Sequence, residues 1–287
     1  MNAKRTKTGK HPASKIIITF FLLNLLLHLP GTAKESEVTE ITIASSHEKT
    51  AQKIPVTIYT PASHIIRGNI LLLPGWKHSR HRWLKETSIK KTADQYQFRL
   101  ICPEMNTSVY ASRYFPETWL KWSDTPGLVW VRKFLIPALQ KKDMLMPGQN
   151  NFVLGLSTGG RGATLVTLDN PDLFKATAAL SGDFDQTAMP EDKLMTAVYG
   201  SFAKFPERWE LDNPMKQAKK WNTPLYLAHG TNDQVVPPSQ TKLFYTVTHN
   251  LHVALDIKLS MPDGGHDYNF WSAETENALI FFARYAR

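Results

Sequence analysis

From residue 40 onward, short apolar runs rich in β-branched residues alternate with longer stretches whose apolar positions recur every three to four residues. The short runs predict eight strands, at 40–44, 56–60, 69–73, 98–102, 151–155, 176–180, 224–229 and 253–259. The longer stretches predict helices at 85–96, 128–140, 159–168, 239–249 and 273–285. In the last of these Ala278, Leu279, Phe281, Phe282 and Tyr285 form one apolar stripe. Strands alternating with helices build a mostly parallel eight-stranded sheet with helices on both faces, an α/β fold. Two stretches break the alternation and read as insertions over the sheet. One, 103–125, carries Tyr110, Tyr114, Trp119 and Trp122; the other, 183–221, mixes charge with prolines and glycines. No repeat or linker divides the remainder, so 34–287 is expected to be one domain.

Residues 1–33 follow a different grammar: Lys4, Arg5, Lys7, Lys10 and Lys15 with no acid, the apolar run 16–29, then small residues at Gly31 and Ala33. This predicts a signal peptide cleaved after Ala33 and a chain exported to the periplasm or beyond. The 14-residue run, interrupted by Asn24 and His28, is shorter than the roughly 20 residues a spanning helix needs, so no stable membrane span is expected after cleavage. Without those five bases the formal charge of +9 falls to +4. No cluster of Lys and Arg remains that would grip phosphates, which argues against nucleic acid as a partner. Cys102 is the sole cysteine, so no intrachain disulfide can form, and 42% hydrophobic residues over 287 positions must supply the stability through one core.

The chemistry concentrates in three places. Gly155-Leu156-Ser157-Thr158-Gly159 follows an apolar strand and precedes a helical pattern. A serine on a sharp strand-to-helix turn is exposed for attack, and glycines two before and two after it prevent side-chain collisions as the backbone reverses. The competing reading is a glycine-rich structural turn. Asp233 lies in a tight loop after the strand 224–229, and His266 follows Gly264-Gly265 ahead of the last helix. The order Ser157, Asp233, His266 is that of a nucleophile, acid and base on a doubly covered sheet. Asp183, in Ser181-Gly182-Asp183, also follows a strand and is the rival acid; the turn chemistry before Pro237 favours Asp233. Of the other histidines, His229 reads as a buried structural residue, and His78 and His81 as part of a solvated loop. Backbone N–H groups must receive the developing oxyanion. Those of Trp76, after Leu73-Pro74-Gly75, and Thr158, after the nucleophile, are the candidates. Trp76, Tyr110, Tyr114 and Trp119 are the candidate substrate-binding residues.

The run Gly155 to Ala163, Pro171-Asp172-Leu173-Phe174, Leu180-Ser181-Gly182, and Gly265-His266-Asp267-Tyr268 with Trp271 resembles the esterase family of α/β-hydrolases. That family includes S-formylglutathione hydrolases, feruloyl esterases and the antigen 85 mycolyltransferases. His229-Gly230 through Pro237 with Gln240 is similar to the catalytic domains of prolyl oligopeptidase-type enzymes. The resemblance implies an α/β-hydrolase catalytic domain over 34–287 and cleavage of a small-molecule or glycan-linked carboxylic ester through an acyl-enzyme. No metal or organic cofactor is implied. Peptide cleavage or acyl transfer on the same triad, and a noncatalytic secreted binding protein, are the alternatives.

Overall fold

Every apolar run expected to be a strand becomes one in the computed structural model, which describes residues 1–2 and 35–286. Beyond its first two residues, the expected signal peptide lies outside the described residues. The strands β1 (Glu37–Ala44), β2 (Lys53–Thr60), β3 (Gly68–Leu73), β4 (Phe98–Pro103), β5 (Asn151–Leu156), β6 (Ala176–Leu180), β7 (Leu225–Ala228) and β8 (Ile257–Ser260) form one sheet. Their order is β1-β2-β4-β3-β5-β6-β7-β8. From β4 to β8 the neighbours run parallel, whereas β1 and β2 pair antiparallel at one edge.

Ten α-helices accompany the sheet among the described residues: α1 (Arg82–Glu86), α2 (Ile89–Tyr96), α3 (Gly127–Trp130), α4 (Ile136–Gln140), α5 (Thr158–Asp169), α6 (Lys193–Tyr199), α7 (Pro206–Leu211), α8 (Pro214–Gln217), α9 (Ser239–Leu251) and α10 (Tyr268–Ala283). Every residue of β3, β5 and β6 is buried, because helices cover both faces. Side chains alternate between two cores. Ile70, Leu72, Phe152 and Leu154 join Trp83, Ile89, Trp271 and Phe282 on the side of α1, α2 and α10. Leu71, Leu73 and Val153 join Trp130, Leu135, Ala163 and Val166 on the side of α3, α4 and α5, and Ala179, Leu225 and Leu227 meet Phe244 of α9. No helix among the described residues is long and apolar enough to cross a membrane.

Three element boundaries depart from the sequence reading. The expected helix 85–96 breaks at Thr87, whose hydroxyl donates to the Trp83 carbonyl and accepts from the Ile89 N–H, separating α1 from α2. The expected strand 253–259 starts only at Ile257, since 252–255 close a turn after α9 and leave Val253 exposed. The last helix begins earlier, at Tyr268, where Asp267 caps the N–H groups of Asn269 and Phe270. The insertion 183–221 supplies α6, α7 and α8. Met195, Val198, Tyr199 and Trp209 from it enclose Val109 and Ala111 in a small separate core.

Phe152 stacks on Phe282, with ring centroids 4.7 Å apart, and meets Phe98 at 5.4 Å. Phe152→Ala is expected to cost about 3–5 kcal/mol in stability, measured as a lower urea midpoint with an unchanged slope. A loss under about 1 kcal/mol would contradict this packing.

Candidate active site

In a parallel sheet the carboxyl ends of adjacent strands share one edge, and side chains in the loops beyond them converge there. Leu73 pairs with Gly155, Leu156 with Leu180 and Leu180 with Ala228, so the loops carrying Trp76, Ser157, Asp183 and Asp233 open on the same side. Ser157 holds φ +56° and ψ −128° between β5 and α5, a conformation that costs a non-glycine residue on the order of 1–3 kcal/mol. Its N–H donates to the Leu180 carbonyl at 2.8 Å. The flanking glycines are sterically required: a Cβ on Gly155 would lie 1.8 Å from the Gly159 carbonyl oxygen, and one on Gly159 would lie 2.1 Å from that of Leu73.

The acid and histidine loops are joined backbone to backbone. Thr231 N–H donates to the Pro262 carbonyl and Asn232 N–H to that of Gly264. Gly230 passes so close that a Cβ there would lie 2.3 Å from the Gly264 carbonyl oxygen. Their side chains consequently meet. His266 Nε2 is 2.9 Å from Ser157 Oγ, and His266 Nδ1 is 2.6 Å from Asp233 Oδ2. Trp271 sets the imidazole from the side, edge-on at 4.9 Å between ring centroids, while its own Nε1–H donates to Ser181 Oγ.

Asp233 is held from three directions. Oδ1 accepts the N–H groups of Val235 and Val236, and Oδ2 lies 3.0 Å from Nε2 of the buried His229, whose Nδ1 meets Thr241 Oγ1. Burial pulls the carboxyl upward. The hydrogen bonds from His229, His266 and the Val236 N–H, with the charge of His266, outweigh it and hold Asp233 well below the usual carboxylate range. The rival acid Asp183 is buried beside Arg161, with Nε 3.4 Å from Oδ2, and no hydrogen bond joins it to a histidine.

A cavity of about 200 Å³ opens beside Ser157, lined among others by Trp76, Thr158, His266 and His78. Thr158 begins α5, so its N–H has no intrahelical partner and lies at the positive end of the helix. The Trp76 N–H donates to no backbone carbonyl among the described residues.

The other aromatic candidates lie elsewhere. Tyr110 is fully buried under the site, its ring filling the space that a Cβ on Gly162 would occupy and its hydroxyl donating to the Pro74 carbonyl at 2.9 Å. It therefore supports the Trp76 turn from below instead of touching a ligand. Tyr114 accepts the Trp122 N–H inside the insertion, and Trp119 stands 75% exposed away from the cavity. His78, expected in a solvated loop, instead lines the cavity with Nδ1 3.3 Å from the Tyr268 hydroxyl. Burial, then Arg82 and His266, push it down to about 4, so the ring is neutral at pH 7.

The eight-stranded sheet and the Ser157–His266–Asp233 line at its carboxyl edge define a serine hydrolase of the α/β-hydrolase class. The chain belongs to the prolyl oligopeptidase family, whose family model matches residues 135–287. Solved structures share the fold at low identity. FphF, a fluorophosphonate-binding serine hydrolase of Staphylococcus aureus, is 17% identical with a TM-score of 0.67 over 87% of this chain and 99% of that one. An S-formylglutathione hydrolase from Agrobacterium tumefaciens is 16% identical with a TM-score of 0.67 over 89% and 98%. An acylaminoacyl peptidase is 15% identical with a TM-score of 0.66 over 88% of this chain but 42% of its own. Comparison with curated proteins gave no match.

Gly159→Ala must move the turn, because a Cβ there would also lie 2.6 Å from the Pro74 carbonyl oxygen. The variant is expected to lose more than about 2 kcal/mol of stability and to react with a fluorophosphonate at least tenfold more slowly. Wild-type stability and labelling would contradict the close approach.

Proposed function

We propose that the chain is an exported serine hydrolase that cleaves a carboxylic ester through an acyl-enzyme. The observation that carries this reading is the continuous line from Ser157 Oγ through the His266 ring to Asp233, 2.9 and 2.6 Å long, at the wall of a cavity. In this reading Ser157 Oγ attacks the carbonyl while His266 Nε2 takes its proton. Asp233, accepting from Nδ1–H, fixes the tautomer that leaves Nε2 free and stabilises the imidazolium. The oxyanion is received by the N–H groups of Trp76 and Thr158. His266 then protonates the leaving alcohol, and water repeats the sequence to release the acid. The basic and apolar pattern of residues 1–33 supports export.

Two observations weigh on the substrate. Ferulic acid esterase and S-formylglutathione hydrolase are among the structures sharing nearly the whole fold, which favours an ester or thioester. The prolyl oligopeptidase match favours a peptide bond and makes peptide cleavage the second reading. The test compares short-chain 4-nitrophenyl esters with aminoacyl 4-nitroanilides. The ester reading expects kcat/KM at least a hundredfold higher for esters, and comparable values or an anilide preference would overturn it.

Asp233→Asn removes the acceptor that fixes the histidine tautomer, so kcat is expected to fall by about two to four orders of magnitude, read with the best ester. Retention of a tenth or more of the activity would exclude Asp233 as the supporting acid. A histidine base must be unprotonated to act, whereas Asp233 stays ionised because its carboxyl is held so low. The expected kcat/KM therefore falls in acid through one ionisation and is unchanged by EDTA. A flat profile down to pH 4, or loss of activity with chelator, would contradict the mechanism.

A further inference from the structure

Two imidazoles border the nucleophile, and the mechanism above uses only that of His266. A Cβ built on Gly75 would lie 3.1 Å from Ser157 Cβ and 3.3 Å from His78 Nδ1, so the second ring stands beside the serine, next to the Trp76 turn. It is held from two directions. The His78 N–H donates to the Gly75 carbonyl at 3.0 Å and closes that turn. The ring meets Tyr268 at 5.4 Å and Trp271 at 5.8 Å between centroids, and Trp271 is the indole that also lies edge-on to His266. One aromatic side chain thereby sets both imidazoles.

The tautomer of His78 follows from its neighbours. The Tyr268 hydroxyl has His78 Nδ1, 3.3 Å away, as its hydrogen-bond partner among the described residues. The Arg82 guanidinium, gripped by Glu86, lies 4.2 Å from the centre of the Tyr268 ring, and a cation there makes the phenol a better donor. The hydroxyl therefore donates, Nδ1 accepts, and the proton of the neutral ring sits on Nε2. Nε2 has no partner in the protein and is not among the enclosed polar atoms that lack one. It is an accessible donor on a residue that lines the cavity.

The leaving oxygen must come within hydrogen-bond reach of His266 Nε2 to receive its proton, which places it over Ser157, where His78 stands. We propose that the His78 Nε2–H donates a hydrogen bond to the oxygen of the leaving alcohol, making His78 a second catalytic residue and aliphatic alcohol esters the substrate class. The inference rests on the serine-hydrolase reading. As the acyl C–O bond breaks, its electron pair passes to that oxygen; His266 delivers the proton, and His78 keeps its own. A nitrophenolate departs without such help, whereas the charge developing on an alkoxide needs donors already in place.

The test compares kcat/KM for ethyl butyrate and 4-nitrophenyl butyrate in wild type, His78→Leu, His78→Gln and Tyr268→Phe, each first checked for reaction with a fluorophosphonate. In His78→Leu the ethyl to nitrophenyl ratio is expected to fall about tenfold, the scale of one hydrogen bond to developing charge. His78→Gln, whose amide carries a donor of similar reach, should bring the ratio back to within about threefold of wild type. Tyr268→Phe keeps the ring but frees its tautomer, so its ratio should fall by a smaller factor; this variant decides if His78→Leu does not fold. Equal losses on both esters, the mark of an oxyanion contact or a merely structural role, or an unchanged ratio, would overturn the proposal. Nitrogen-15 NMR of the histidine rings at pH 7 is a reading independent of turnover. It should find His78 neutral with its proton on Nε2, and a proton on Nδ1 would overturn the proposal equally. Cleavage of neither ester by the wild type would count against the ester reading instead, and the NMR result would still judge His78.

Discussion

Backbone meets backbone where β5 turns into α5, with Gly159 pressed against the carbonyls of Leu73 and Pro74 and Gly155 against Gly159 itself. That contact locks β3, β5 and α5 into one register. The strained φ of Ser157 follows from it, as does the position of the first N–H groups of α5 beside the Trp76 turn. Tyr110 fills the space left by Gly162 and braces the same turn from below. Strain at one serine is sustainable because two buried cores, one on each sheet face, over-determine the backbone around it.

Charge is handled differently on the two sides of that serine. Asp233 sits among donors from Val235, Val236, His229 and His266, and so is held ionised with little freedom to move. Asp183, a strand away, has an ion pair but no hydrogen-bond donor. Two carboxylates at one edge of a sheet thus acquire opposite character from their surroundings, one saturated by donors and the other buried against a guanidinium. Arg161, one turn into α5 beyond the serine, connects Asp183 to the insertion carrying Asp212 and Tyr199.

Much of this was legible in the chain because its signals are local. β-Branched runs marked all eight strands, and the glycine spacing around Ser157 marked the turn. The order Ser157, Asp233, His266 identified the three side chains that the fold brings together. What escaped depended on contacts distant in sequence. Nothing in the polar stretch from Lys77 to His81 marks His78 as the member that turns inward; it does so because Lys77 adopts φ 59° and His78 pairs with Asn106 across loops. Tyr110 and Trp119 share a composition, yet one is buried and the other exposed, since the insertion is held by its packing against α6 and α7 and not by a periodicity of its own. For those short helices signals did exist, in the Asp192 cap, the Asn213 cap and prolines at Pro206 and Pro214. The contact of His229 with Asp233 follows from their spacing of four around a tight loop and was visible only once the loop was folded.

The account stands on Ser157 being the atom that attacks. Reaction of the purified protein with a fluorophosphonate, followed by digestion and mass spectrometry of the adduct, measures this directly. One adduct per chain is expected, located on Ser157 and absent from Ser157→Ala. An adduct on another residue, or undiminished labelling of the folded Ser157→Ala variant, would contradict it.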